Sequence, residues 1–206
     1  MFDRYDDAAF FASTLAPFFL VDPDDEAMAP AFDAVAALDA DTAAQSWPFV
    51  IPDEAAPCLR AMVAGCGDAE LAWEYRRLFI GPNPMPAPPW GSVYTDRECV
   101  VFGQATLELR AWMRRNGIAR QDDRKTPEDH IGSLLLLASW IARHKPAILG
   151  EFLELHVLTW SSHMLTQLEE AARQPFYEGL ARLTRLSLEG LGDALGVHPE
   201  TPRFYR

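Results

Sequence analysis

Residues 127–144 read PEDHIGSLLLLASWIARH, and this stretch decides the fold class. Thr126 stands at a cap position, Pro127 suits a first turn, and Asp129 falls three residues after the cap. That is a capping-box-like helix entry, with Glu128 and Asp129 well placed against the helix dipole. Beyond His130, the residues Ile131, Leu134, Leu135, Leu136, Leu137, Trp140 and Ile141 leave almost no polar face. A helix apolar on most faces is expected to be buried on all sides, which places this one at the centre of the fold. The uncharged apolar run from Ile131 to Ala142 is about 12 residues, well short of the roughly 20 needed to span a bilayer.

Working outward, helical spacing recurs along most of the chain. Phe10, Phe11, Thr14, Leu15 and Phe18 form one helical stripe, and Phe32, Val35, Ala36 and Leu38 a second after the acidic turn Asp22 to Glu26. Pro48 and Pro52 bracket a break before a helix over Asp53 to Val63, and Asp68 caps a fourth running through Tyr75, Leu78 and Phe79 to a stop before Gly81-Pro82. After a long linker, helicity resumes near Gln104 and ends around Asn116-Gly117. Arg120 to Lys125 reads as a loop. Pro146 opens a helix through Leu155, Ser161 or Ser162 another to Arg173, and Pro175 the last. Strand-like residues are confined to Cys99 to Phe102, too few for a sheet. The expected fold is all-α, a single compact helical domain over residues 1–206 with one long Pro-rich loop.

The 206 residues are 49% hydrophobic and 23% charged, the composition of a globular protein, but the net charge is −12. All of it lies in residues 1–72, where fourteen acids face only Arg4 and Arg60; the motif-bearing part, 73–206, is neutral. Such a chain is a poor ligand for nucleic acid. Its acidic third either solvates the protein or attracts a cationic partner. Asp3, Asp6 and Asp7 stand where a secretory leader needs positive charge, and Cys58, Cys66 and Cys99 lack paired metal or disulfide spacing, so a cytoplasmic chain with reduced thiols is expected. No nucleophile elbow, P-loop or zinc motif occurs, and His156 and His163 are separated by the break at Trp160-Ser161, so neither catalysis nor a metal site is expected. Arg110, Arg114 and Arg115, continued by Arg120, Arg124 and Lys125, read as a solvated basic face with local ion pairs or as a contact for an acidic body.

The most informative stretch is 74–102, EYRRLFIGPNPMPAPPWGSVYTDRECVVF, with five prolines from Pro82 to Pro89. Proline fixes φ, so this loop is stiff and presents Met85, Trp90 and Tyr94 with little entropy left to lose. It is either a rigid connector whose Trp90 plugs the core or a wall for an apolar ligand.

The segments YRRLFIGPNPMPAPPWGSVYTD and PEDHIGSLLLLASW resemble those of the TorD/DmsD family of chaperones, most closely the DmsD branch. Agreement continues at Val101-Phe-Gly103, Leu155-His156, Trp160-Ser161 and Pro175-Phe-Tyr177. The resemblance implies an all-helical binding protein rather than an enzyme. Its partner would be the twin-arginine leader of a molybdoenzyme catalytic subunit of the dimethyl-sulfoxide-reductase type. The chaperone would hold that precursor until cofactor insertion and folding precede export, and contacts with the client's mature domain and, transiently, with the Tat translocon belong to the same implication. No cofactor of its own is implied beyond weak guanine-nucleotide binding, known in the wider family, which supplies the alternative of a nucleotide-binding or hydrolysing maturation protein.

Carried over by position, the peptide-binding residues implied are Tyr75, Leu78 and Phe79, then Pro89, Trp90 and Tyr94, and finally Pro127, Asp129 and His130. The family often has Trp at the position of Tyr75 and another aromatic at that of Tyr94. A cationic, apolar leader needs an apolar groove with carboxylates at one end. Asp129 reads both as a helix-entry acid and as a partner for a peptide guanidinium, and His130 both as a groove wall and as a satisfied core histidine. In this setting the acidic turn Asp22, Asp24, Asp25 and Glu26 becomes a candidate steering field, acting on encounter more than on affinity.

Overall fold

The computed structural model describes residues 3–119, 127–200 and 202–206. Among these the regular structure is helical, and the one β-type pairing is an isolated bridge between Trp90 and His130. The first sequence stripe divides into α1 (Arg4–Leu15) and α2 (Pro17–Leu20), because Pro17 opens a new helix immediately after Ala16. A single 3-10 turn (Glu26–Met28) leads into α3 (Ala29–Ala36). A helix that the sequence reading did not anticipate precedes the break between Pro48 and Pro52: α4 (Ala40–Ser46) begins at Asp39, whose carboxylate accepts from the Thr42 amide. Next come α5 (Pro52–Gly65) and α6 (Leu71–Phe79). Asp68 does not cap α6 directly. Its side chain accepts from the Glu70 amide, one turn earlier.

A short helix, α7 (Ser92–Thr95), interrupts the linker, and Cys99 to Phe102 forms turns with positive φ at Cys99 and Phe102 rather than a strand. Then follow α8 (Gln104–Arg115) and α9 (Ile131–His144). A 3-10 turn (Pro146–Ile148) opens α10 (Leu149–Phe152), which runs into a π-helical turn, Leu153–Val157. The chain closes with α11 (Ser161–Ala171) and α12 (Pro175–Leu195), the latter ended by Gly196 at φ +69°.

α9 packs along one side against α1, but it is not enclosed as the sequence reading expects, and its start differs too. The helix begins at Ile131, with His130 as its cap: Nδ1 accepts from the Gly132 amide at 3.1 Å. Pro127, Glu128 and Asp129 form a preceding turn, because Asp129 spends its carboxylate on a different element. Thr126 and the loop Arg120 to Lys125 lie outside the described residues. Nor is α9 enclosed on every face, since Leu136 and Trp140 are exposed. Its buried side, Ile131, Leu134, Leu135, Ala138 and Ile141, packs on α1, where Ala8, Ala9 and Ala12 allow close approach and Ser139 donates to the Ala9 carbonyl at 3.0 Å. Burying a Leu or Ile side chain fully contributes about 1.5–3 kcal/mol.

The second packing centre is the α5–α12 pair. A Cβ at Gly179 would lie 2.4 Å from the Cys58 carbonyl oxygen, so only glycine permits this crossing. Between the two centres runs a buried ion pair: Glu74 accepts from Arg77 Nε at 2.7 Å and Nη2 at 2.8 Å, and from the Arg173 amide at 2.6 Å. Arg77 also donates to the Ala171 carbonyl, which ties α6 to the end of α11.

The charge distribution is less one-sided than the bare sequence suggests. Arg76 binds Asp22 at 2.7 Å and Asp24 at 2.5 Å, and Asp25 accepts from the Ala27 amide. The acidic turn is therefore partly neutralised, which reduces its steering field. On the basic face, Arg110 pairs with Glu128 at 2.8 Å.

Candidate functional site

The proline loop and the approach to α9 are fastened together by three hydrogen bonds. The Ile131 amide donates to the Pro89 carbonyl at 2.8 Å, the Gly91 amide to the Asp129 carbonyl at 3.1 Å, and the Ser92 amide to Asp129 Oδ2 at 2.8 Å. This brings Pro89, Trp90, Asp129 and His130 together, with the Trp90 and His130 rings edge to face at 5.6 Å. Pro127 is buried at the same junction, its carbonyl accepting from the His130 amide.

Gly91 is required where it stands, because a Cβ there would meet the Trp160 indole at 2.7 Å. Trp160 in turn stacks on Tyr94 at 5.8 Å and 15° and donates its indole N–H to the His156 carbonyl. Tyr94 is fully buried, and burial raises its phenol pKa well above the usual range. It supports the junction from beneath.

Tyr75, Leu78 and Phe79 sit elsewhere, in the core. Leu78 is fully buried, while Tyr75 and Phe79 join Tyr177 in an aromatic cluster that Phe19 completes against Phe79. They buttress the helix from which the proline loop departs.

Two recesses adjoin the Trp90–Asp129 junction. The outer one is an open groove of about 430 Å³ whose walls include Ile80, Pro84, Met85, Trp90, Val93 and Val101. The inner one, about 160 Å³, is lined by Gly91, Glu108, Asp129, His156 and Trp160 among others, and no Lys or Arg lines it among the described residues. Asp129 is 3% exposed and, among the described residues, its Oδ1 has no hydrogen-bond partner; His156 Nε2 is likewise buried and unpartnered there. Such orphaned groups are costly in a native interior and mark places where a ligand or water completes the bonding. Burial pushes the His156 pKa down to about 4, against a smaller opposing effect of Glu108, so the imidazole is neutral at pH 7. The π-helical turn that carries His156 is the kind of irregularity that re-aims a side chain at a functional site. A recess lined by a neutral imidazole and the side chains of Glu108 and Asp129 suits a guanidinium or ammonium group.

The sequence reading did not single out Glu108, Gly91, Ser92 or the C-terminal tail as site residues. The tail closes the junction: the Tyr205 amide donates to the Tyr94 carbonyl at 3.0 Å, Arg206 Nη2 to the Met85 carbonyl at 2.6 Å, and Phe204 stacks on His163 at 4.2 Å. Its signal was the aromatic and basic run at 203–206.

The Nitrate reductase delta subunit family model matches residues 53–166, more than half of the chain. The chain is 43% identical to the Tat proofreading chaperone DmsD of Salmonella typhimurium, covering 91% of this chain and 90% of that one. The chain belongs to the TorD/DmsD family, on its DmsD branch. A more distant member, the chaperone protein YcdY of Escherichia coli, is 31% identical over 74% of this chain and 77% of its own. A solved structure from Archaeoglobus fulgidus, described as a candidate redox enzyme maturation protein, shares the fold with a TM-score of 0.52 at 22% identity, over 92% of this chain and 95% of that one. The matched span includes Gly91, Glu108, Asp129, His156 and Trp160 of the inner recess and Ile80, Trp90 and Val101 of the outer groove. No helix among the described residues is long and apolar enough to cross a membrane.

Proposed function

We propose that this protein is a cytoplasmic chaperone that binds the twin-arginine signal peptide of a molybdoenzyme precursor and holds it until cofactor insertion and folding precede Tat export. The observation that carries the reading is the buried Asp129, whose Oδ1 lacks a partner among the described residues, in a recess that no described Lys or Arg lines, beside the apolar groove of Trp90. A leader of this class has arginines followed by an apolar stretch, so recess and groove match its two chemistries. The 43% identity to a Tat proofreading chaperone supports the same assignment. On this reading the protein binds and releases rather than catalyses, and contacts with the client's mature domain and with the translocon follow from the leader interaction.

Calorimetric titration with a synthetic twin-arginine leader tests the proposal. Micromolar or tighter binding by the native chain, lost when Arg-Arg in the peptide becomes Gln-Gln, is the expected result. Equal affinity for both peptides would overturn it.

A further inference from the structure

The largest recess described lies away from this site. α1, α3, α4 and α5 enclose an apolar groove of about 670 Å³ whose walls include Phe10, Thr14, Val35, Leu38, Trp47 and Met62. Every lining residue lies between positions 10 and 62, so the groove shares none with the Trp90–Asp129 junction. An open apolar trough of this size marks an interaction surface rather than an ordinary stretch of protein exterior. α3 makes this specific. Its sequence APAFDAVA is strongly apolar, yet none of its residues is fully buried. Phe32 touches the core rings Phe18 and Phe176 at one end of the helix, while Val35 and the following Leu38 face the groove. Phe10, half exposed, meets Trp47 edge to face at 5.8 Å on the opposite wall.

Charge narrows the choice of occupant. The elements enclosing the groove carry Asp6, Asp7, Asp33, Asp39, Asp41, Asp53 and Glu54 against Arg4 and Arg60. Both cations are engaged, Arg60 with Asp41 and Arg4 with the Ala194 carbonyl. Asp39 is the one charged residue that lines the groove itself.

We infer that this groove docks an amphipathic α-helical segment of a partner protein, its apolar face inserted between α1 and α3 and its basic margin against the surrounding carboxylates. Helix-in-groove recognition uses apolar anchors on one helix face, and the walls here are themselves helices that leave an open trough. The acidic surround supplies selectivity, because an acidic helix of equal hydrophobicity meets like charge on every side.

The probe is a synthetic amphipathic peptide with leucines on one helical face and lysines elsewhere, titrated against the full chain. Ala34→Trp fills the groove and Leu38→Ala removes an exposed wall; both leave the charge unchanged, so purely electrostatic association would not detect them. The peptide should bind the native chain and lose about tenfold or more in affinity to each variant. Twin-arginine leader binding should be unaffected in both. Replacing the peptide lysines by glutamates should abolish binding, and Asp33→Asn with Asp39→Asn, which preserves the cap on α4, should flatten the salt dependence. Thermal unfolding confirms that each variant is folded. Equal affinity for native chain and both variants would overturn the inference. Loss of leader binding in Ala34→Trp would also overturn it, as would self-association of the native chain that Ala34→Trp abolishes, since a second copy would then be the occupant.

Discussion

Asp129 Oδ2 accepts from the Ser92 amide at 2.8 Å while Oδ1, on the same carboxyl, has no partner among the described residues. One oxygen holds the proline loop against the approach to α9, and the other is left for a ligand. Substitution can separate the two roles. Asp129→Asn keeps an acceptor for Ser92 but removes the charge, so thermal stability should stay close to native while leader affinity drops about tenfold or more, since hydrogen bonds between charged groups are worth about 1.5–3 kcal/mol. Asp129→Ala loses both, and should lower the melting temperature as well as the affinity. Calorimetric unfolding and peptide titration of the two variants check the split.

Trp90 and Leu78 were equivalent in the sequence reading, both implied in peptide binding, but the structure gives them different surroundings. Trp90 is partly exposed along the outer groove, and Leu78 is fully buried in the core. Trp90→Ala should cost leader affinity by about tenfold or more with a small change in stability. Leu78→Ala should cost about 2–5 kcal/mol of stability, the range for a cavity in a packed core, while the folded fraction keeps near-native affinity. Denaturant unfolding alongside titration distinguishes them.

The features legible in the sequence are those that local chemistry determines. α9 is legible because its apolar residues recur at helical spacing along a side that must be buried, and Pro175 marks the start of α12 because proline suits a first turn. The start of α9 was misplaced because its acids satisfy a capping pattern on paper, whereas Asp129 has a partner 37 residues away. α4 escaped notice because ADTAAQS has little apolar periodicity; Asp39 and the packing of Ala40 and Ala44 sustain it. Likewise no local pattern ties the tail to Tyr94 and Met85, or brings Glu108 and Asp129 to one recess. The groove behind α3 is a property of helix placement, and periodicity alone would have predicted Val35 and Leu38 as core.

The Glu74–Arg77 pair should prove a stability element rather than part of the binding site. Burial raises the Glu74 pKa, but the hydrogen bonds from Arg77 and the Arg173 amide outweigh that effect and hold it below the usual carboxylate value. Glu74→Ala leaves the Arg77 guanidinium, little exposed, with the Ala171 carbonyl as its remaining partner. A loss of about 3 kcal/mol is expected, the scale for removing one partner of a buried ion pair. Because the folded pKa is depressed, this contribution is fully present above the unfolded carboxylate pKa and is lost as pH falls from there through the folded value. The native chain should therefore lose more stability on acidification than Glu74→Gln does, measured by urea unfolding at stepped pH.

His156 gives a second and separable acid sensitivity. Its pKa falls from 6.5 in the unfolded chain to about 4 in the fold, chiefly by burial. Below about pH 6.5 the unfolded state therefore binds a proton that the folded state refuses, and stability declines with falling pH until the folded value is reached. Between pH 7 and pH 5 the expected loss is about 2 kcal/mol, well above the range in which unperturbed acids titrate. His156→Gln retains a polar side chain of similar reach without the titration, and should flatten the stability curve over that interval while leaving the Glu74 contribution at lower pH intact. Parallel curves for native and variant chains between pH 7 and pH 5 would show that His156 does not titrate as its burial requires.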